Sequence, residues 1–324
     1  LFNTKIHNSI QVTGSHNPPE YNGFKISFKQ KPFYGLMIQE IKKIILDKKY
    51  AFSKRKGKLS KLNILNDYIN YIKKNIKIDE KFNVVMDCAN AAGCLVAPKL
   101  FNSLGINVET LYCNVDPSFP NHHPDPTVDE NLNDLINIVK FKKNSIGIAF
   151  DGDADRIIVV DERGRIIRAD ILLAFFVKNL VQESDPVVYD VKCSSSLKDV
   201  ILESGGKPVM WKTGHSLIKN KMIETKAKIG GEMSGHIFFS DRYFGYDDAV
   251  YVSLRLIEIL SITKQKLCSL IDEIPKYNST PEIRIDCQSD RDKFDIVNDL
   301  INYYESNYDC VTVDGVRINY ENGW

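Results

Sequence analysis

From residue 82 onward, short β-branched runs alternate with amphipathic stretches of helical period, and this restricts the chain to α/β architecture with mostly parallel sheets. Residues 82–87 read as a strand, 94–104 as a helix stopped by Gly105, and 106–112 as the next strand, which together make a βαβ unit. A helix at 131–142 leads to a strand at 145–150, and 157–160 is again strand-like. A second series follows: strand 187–191, helix 196–204 stopped by Gly205-Gly206, strand 208–211, helix 216–225 and strand 227–230.

The polar clusters fall just after these strands: DGDADR after Phe150, DVKCSSS after Tyr189, KTGH after Trp211, and the GGEMSGH loop that opens at Gly230. Open α/β sheets bind ligands at the carboxyl ends of their strands, so these loops are expected to face one cleft. Before residue 82 lie a strand-turn at 9–19, a strand at 23–28 and a helix at 36–46. After about residue 275 come a strand-like 282–286, a helical 292–304 and a hairpin-like 311–320.

With 324 residues, two or three cores are expected. Lysine plus arginine (43) nearly balances aspartate plus glutamate (42), so no global field recruits nucleic acid or an anionic membrane, and the expected partner is a small molecule. The basic stretch 42–61 carries no aromatic stacking platform and reads as a solvated linker. The seven cysteines include no C-x-x-C pair and are odd in number, which fits buried or spare thiols in a reducing cytoplasm. The longest apolar run, 171–177, is far below the ~20 residues of a bilayer span, and no secretion signal is visible. A start at Leu1 rather than methionine, and a stop at Trp324 directly after a strand-like run, read as the ends of a fragment.

Asp151, Asp153 and Asp155 alternate along the chain; in an extended segment residues two apart point the same way, so three carboxylates can converge on a hard cation such as magnesium or calcium. An EF-hand loop is a rival, with Glu162 at its twelfth position, but Arg156 stands where that loop requires glycine and the flanks are strand-like. Arg156 beside the metal suits an anionic ligand such as phosphate. Ser15 lies in TGSHNPPE, a tight turn after a strand, and is expected to be exposed. His16 is a poor base for it, because adjacent side chains on extended backbone point apart. GGEMSGH gathers a carboxylate, a hydroxyl and an imidazole able to hydrogen-bond sugar hydroxyls. In KTGH, Gly214 leaves the backbone open while Lys212 and His215 could meet a phosphate, as could Lys192 in DVKC. His122-His123 stand on a proline-rich loop with no metal-ligand partner and read as structural.

TGSHNPPEYNGFK, DGDADR, KTGHSLIKNKM and GGEMSGH, in this order, resemble the α-D-phosphohexomutases, and within them the bacterial phosphomannomutase/phosphoglucomutase branch. The resemblance implies a phosphoserine at Ser15, whose phosphate completes a magnesium site with Asp151, Asp153 and Asp155. It places Lys25 and Arg156 near the transferred phosphoryl group, and Glu232, Met233, Ser234, Gly235 and His236 in the sugar-recognition loop. Lys192, Thr213, Gly214 and His215 match further substrate contacts; His236 and Lys25 are unranked candidates for moving the hydroxyl proton. The implied reaction moves phosphate between C1 and C6 of mannose or glucose through a hexose 1,6-bisphosphate, in a cytoplasmic monomer. The implied architecture is multi-domain around a central cleft: a partial first domain at 1–60 with the phosphoserine loop, a second at 61–165 with the metal loop, a third at 166–275 with the sugar loop, and an incomplete α+β fourth at 276–324. Met233 stands where phosphoglucosamine mutases usually carry glutamine, which favours mannose and glucose phosphates; phosphoglucosamine mutase activity is the alternative, with a non-catalytic phosphosugar-binding relic as another. Ala154 replaces the family's usual glycine and lacks its freedom at positive φ.

Overall fold

In the computed structural model, which describes residues 1–280, 282–283, 285–321 and 323–324, the β-branched runs become the strands of two central sheets. The first sheet has the order Asn107–Leu111, Asn83–Asp87, Ser145–Phe150, Ile157–Val160, Ile166–Ile167. Its first three strands are parallel, and each of the last two pairs antiparallel with the strand before it. The second has the order Lys207–Trp211, Pro186–Asp190, Ile229–Gly231, Ile237–Phe239, parallel except for its last strand. The mixed, mostly parallel α/β architecture is therefore as expected. Residues 151–156 join two antiparallel strands, which excludes the EF-hand alternative.

Several elements depart from the sequence reading. The helix expected at 94–104 divides into a 3₁₀ turn, Ala92–Leu95, and an α-helix, Ala97–Ser103, because Pro98 fits only the first turn of a helix. Helices Ala169–Leu180 and Ala249–Thr263 gave no periodic signal, since both are apolar on nearly every side and buried along most of their length. The expected two or three cores take the form of one large buried cluster, to which both helices contribute, and two smaller ones, around Leu135 and Val160 and around Ile218 and Phe238. The large cluster runs from Ile69, Ile72 and Val84 through Phe175 and Phe176 to Val187, Leu197 and Ile257, so both α/β units share it. Of the expected strand at 282–286, residue 284 lies outside the described residues and the others are not in a strand.

At the N-terminus, Ser9–Val12, Phe24–Phe28 and Lys31–Phe33 form an antiparallel sheet, followed by helix Leu36–Leu46. Residues 42–61 are exposed throughout. Near the C-terminus, helix Asp290–Glu305, capped by Ser289, precedes the paired strands Cys310–Val311 and Arg317–Ile318. No helix among the described residues is long and apolar enough to cross a membrane.

Polar bonds lock helix Leu65–Asn75 and the segment after it to helix Ala249–Thr263. Tyr68 donates to both oxygens of Asp248 at 3.0 and 3.1 Å, Tyr251 donates to Asn75 Oδ1 at 2.9 Å, and Glu258 accepts from Lys77 N at 3.0 Å. Asp248 also accepts from Tyr243 at 2.6 Å and caps the helix by accepting from Tyr251 N at 2.9 Å. Tyr68→Phe leaves this buried carboxylate one donor short, which should cost about 1–3 kcal/mol of unfolding free energy in urea titration; an unchanged midpoint would contradict the account of this joint.

Candidate active site

Gly152 decides how the first sheet's loop meets the serine turn. A Cβ built at Gly152 would lie 2.0 Å from the carbonyl oxygen of Ser15, so only glycine lets the two backbones touch. Ser15 itself is in the left-handed region at φ 51°, a conformation that costs a non-glycine residue free energy and that surrounding contacts must hold. Thr13 Oγ1 accepts from Ser15 N at 2.8 Å, and His123 Nε2 bonds the carbonyl oxygen of His16 from behind. Covered in this way, Ser15 is half-buried rather than exposed. The same φ turns His16 back towards it, and His16 Nδ1 lies 3.1 Å from Ser15 Oγ, which overturns the expectation that neighbouring side chains diverge. Burial first, then the Arg156 guanidinium, lowers the pKa of His16.

The carboxylates of Asp151, Asp153 and Asp155 offer oxygens within 4.8 Å of one another. They converge through a tight loop rather than an extended segment: Asp151 Oδ1 accepts from the backbone N–H of Asp155 and of Arg156, both at 3.1 Å, and Ala154 sits at φ 58°. Alanine thus occupies the left-handed position where glycine would be unstrained. Asp151 Oδ2 accepts from Ser15 Oγ at 3.0 Å. Lys25 donates to Asp153 Oδ2 at 2.7 Å and also to Asp155 Oδ2. Burial opposes the charge on Lys25, but Asp155 and Asp153 outweigh it and raise its pKa. Burial and the charges of Asp155 and Asp153 push Asp151 up to about 7. Asp153 Oδ1 and Asp155 Oδ1 are buried without a hydrogen-bond partner. Two orphaned acceptors within a group of three close carboxylates fit a hard, oxygen-seeking cation.

His236 joins this group from the second sheet. Its Nε2 accepts from Arg156 Nε at 3.0 Å; its Nδ1 lies 3.2 Å from Asp247 Oδ2 and 3.6 Å from Asp155 Oδ1. Burial lowers its affinity for a proton, but Asp155 and Asp247 outweigh that and raise its pKa. Asp247, which sequence reasoning missed, is the hub: it also meets His215 Nδ1 at 3.2 Å and Lys219 Nζ at 2.8 Å. Burial would favour its neutral form, yet Lys219, His215 and His236 hold it well below the usual carboxylate range. Lys219 was detectable, since it lies four residues after His215 on one helix face. Asp247 was not, because only the neighbouring Asp248 carries a capping signal.

Gly235 lies at φ 106°, and its carbonyl accepts from Ile157 N at 3.1 Å, which presses the 232–236 loop onto the first sheet. Glu232 is buried and accepts from Gly214 N, so its carboxylate faces the KTGH backbone. Burial raises its pKa. Met233 N donates to Asp190 Oδ1 at 3.3 Å, and Ser234 is partly exposed. Thr213 N donates to Asp314 Oδ2 at 2.9 Å, and Lys192 pairs with Glu282 at 3.2 Å, so both loops are tied to the C-terminal segment rather than to the Asp151, Asp153 and Asp155 carboxylates. Arg317 reinforces that tie by donating to Val191 O at 2.6 Å and Cys193 O at 2.7 Å. A cleft of about 1050 Å³ is lined by Lys25, Asp153, Asp155, His215 and Asp247 among others.

Three family models match the chain: phosphoglucomutase/phosphomannomutase alpha/beta/alpha domain I at residues 1–51, domain II at 66–164 and domain III at 168–277. A phosphomannomutase/phosphoglucomutase of Pseudomonas putida is 44% identical over 320 residues, covering 97% of this chain and 68% of the relative. A phosphoglucomutase of Neisseria gonorrhoeae is 39% identical over 319 residues, covering 97% and 69%. A crystal structure of a phosphoglucomutase/phosphomannomutase family protein from Burkholderia thailandensis superposes with a TM-score of 0.91 at 38% identity, covering 98% of this chain and 68% of that one.

The contact at Gly152 yields a direct test. Gly152→Ala should force the 13–19 turn off the 151–156 carboxylate loop, weakening its docking by about 1–3 kcal/mol. Limited proteolysis should then cut within residues 1–64 several-fold faster while the far-ultraviolet spectrum stays the same. An unchanged cleavage rate would show that the two backbones do not depend on their close approach.

Proposed function

The chain belongs to the phosphoglucomutase/phosphomannomutase family, and we propose that it interconverts the 1-phosphate and 6-phosphate of mannose or glucose through a phosphoserine at Ser15 and a hexose 1,6-bisphosphate. The observation that carries this reading is Ser15 Oγ at 3.0 Å from Asp151 Oδ2, at the rim of a carboxylate loop with two orphaned oxygens. Asp151, Asp153 and Asp155, with a phosphate on Ser15, would hold Mg2+. The ion supplies charge neutralisation for the phosphoryl group in a loose transition state.

The chain's own residues do the rest. The phosphoryl group leaves Ser15 Oγ for a sugar hydroxyl oxygen, and the hydroxyl proton must leave at the same time. Lys25, held as an ammonium by two aspartates, suits stabilising charge better than accepting that proton. His236 Nε2 has a lone pair that Arg156 engages at 3.0 Å, so it can take the proton once the guanidinium turns to the phosphate. Asp247 fixes both His236 and His215 by their Nδ1 atoms. Glu232 and Ser234 recognise sugar hydroxyls; Met233 and Gly235 shape that loop, while Lys192, Thr213, Gly214 and His215 receive the phosphate that is not reacting. Lys192, Thr213 and Gly214 are engaged with Glu282, Asp314 and Glu232 respectively, so substrate must replace these carboxylates there. We assign residues 1–60, 61–165, 166–275 and 276–324 as the successive domains, in a cytoplasmic monomer.

A phosphoglucosamine mutase reading has less support, since the relatives named above act by name on mannose and glucose phosphates. Coupled assays with mannose 1-phosphate, glucose 1-phosphate and glucosamine 1-phosphate separate the two. Turnover is expected with the first two, and Glu232→Ala and Ser234→Ala should each lower kcat/KM for both by about 1–3 kcal/mol in transition-state terms. Turnover confined to glucosamine 1-phosphate, or none with any substrate, would overturn the proposal.

A further inference from the structure

The proposed mutase reaction uses none of the seven cysteines, yet three of them meet beside the carboxylate loop. Cys88 follows strand Asn83–Asp87, Cys113 follows the neighbouring parallel strand Asn107–Leu111, and Cys94 is carried across both by the 3₁₀ turn Ala92–Leu95. Their Sγ atoms all lie within 4.8 Å of one another. The sequence gives no metal-ligand spacing here, because the three converge only through parallel strand pairing and the turn.

We propose that Cys88, Cys94 and Cys113 form a binding site for a thiophilic d¹⁰ divalent cation of the Zn2+ or Cd2+ class, held by three thiolates with a fourth position open to solvent. Zn–S bonds of about 2.3 Å place tetrahedral sulfurs roughly 3.8 Å apart, so the present spacing needs to close by about 1 Å at most. Sulfur donors select such an ion over Mg2+, which seeks oxygen. Cys88 is fully buried while Cys94 and Cys113 are partly exposed, which gives one anchored ligand and an approach from solvent. The turn is pressed tightly onto the sheet: a Cβ at Gly93 would lie 3.3 Å from the Phe150 ring and 3.7 Å from Cys88 Sγ. Hydrogen bonds within the group lower the pKa of Cys94 and raise that of Cys88, and Cys113 is raised as well, so a cation must displace protons from those two thiols. Binding releases the remaining thiol protons to solvent. Ala92 N donates to Gly152 O at 3.2 Å, which places the site one hydrogen bond from the loop that bears Asp151 and Asp153.

The test titrates the reduced full chain with Cd2+ in saturating Mg2+, following the ultraviolet thiolate-to-cadmium charge-transfer band, which oxygen ligands do not produce. The band is expected to saturate at one equivalent and to be lost on adding excess Zn2+. Cys94→Ser and Cys113→Ser should each weaken Cd2+ binding by more than about tenfold, the loss that even outer-sphere partners produce. Cys268→Ser and Cys287→Ser should leave it unchanged. No band at one equivalent would overturn the proposal, as would full Cd2+ affinity in Cys94→Ser with a native far-ultraviolet spectrum. So would a count of two missing thiols in the unreduced chain, which would indicate a disulfide instead.

Discussion

Mutual repulsion among Asp151, Asp153 and Asp155 is the constraint around which this molecule is arranged. Three carboxylates within 4.8 Å, with Asp151 fully buried, are unfavourable unless something offsets them. Within the chain the offset comes from the Lys25 ammonium, from two backbone N–H groups on Asp151 and from Arg156, whose Nε stands 4.0 Å from Asp151 Oδ2. These groups arrive from different elements: Lys25 from the N-terminal sheet, Arg156 from the loop itself. Neutralising the loop therefore also draws the serine turn into place, and the glycine at 152 sets how near it comes. Buried acceptors on Asp153 and Asp155 still lack partners, so the loop remains short of positive charge.

A second, complementary arrangement surrounds Asp247. Here one buried carboxylate is shared by two imidazoles and the Lys219 ammonium, which offsets its charge. His236 connects the two centres, reaching Asp247 on one edge and Arg156 on the other. A proton placed on His236 would be stabilised by both carboxylate groups, but it must displace the bond to Arg156. Movement of the guanidinium towards an arriving phosphate and protonation of the imidazole are thus linked through a single contact.

Much of this was legible in the residues. Strands 145–150 and 157–160 and helix 36–46 were read with their observed limits, because their periodicity and flanking turn residues agreed. The candidate loops also fell correctly at strand ends. What escaped was set by tertiary contact. Ala169–Leu180 and Ala249–Thr263 are buried on nearly all sides and so carry no amphipathic period. His16 was discounted on the assumption of extended backbone, whereas Ser15 adopts a left-handed conformation that only the contacts around it can hold. Asp247, Asp314 and Arg317 act at long range, on residues that lie far from them along the chain, and no local pattern distinguishes them from other charged residues.

The central claim is that Ser15 is the residue that carries phosphate. Its most direct test is peptide mapping by mass spectrometry after the chain is incubated with glucose 1,6-bisphosphate, with Mg2+ and with excess chelator. The account predicts one phosphate, on the peptide containing Ser15, formed with Mg2+ and much reduced in chelator. Phosphate on any other residue, or a Ser15 peptide that stays unmodified with Mg2+ present, would contradict it.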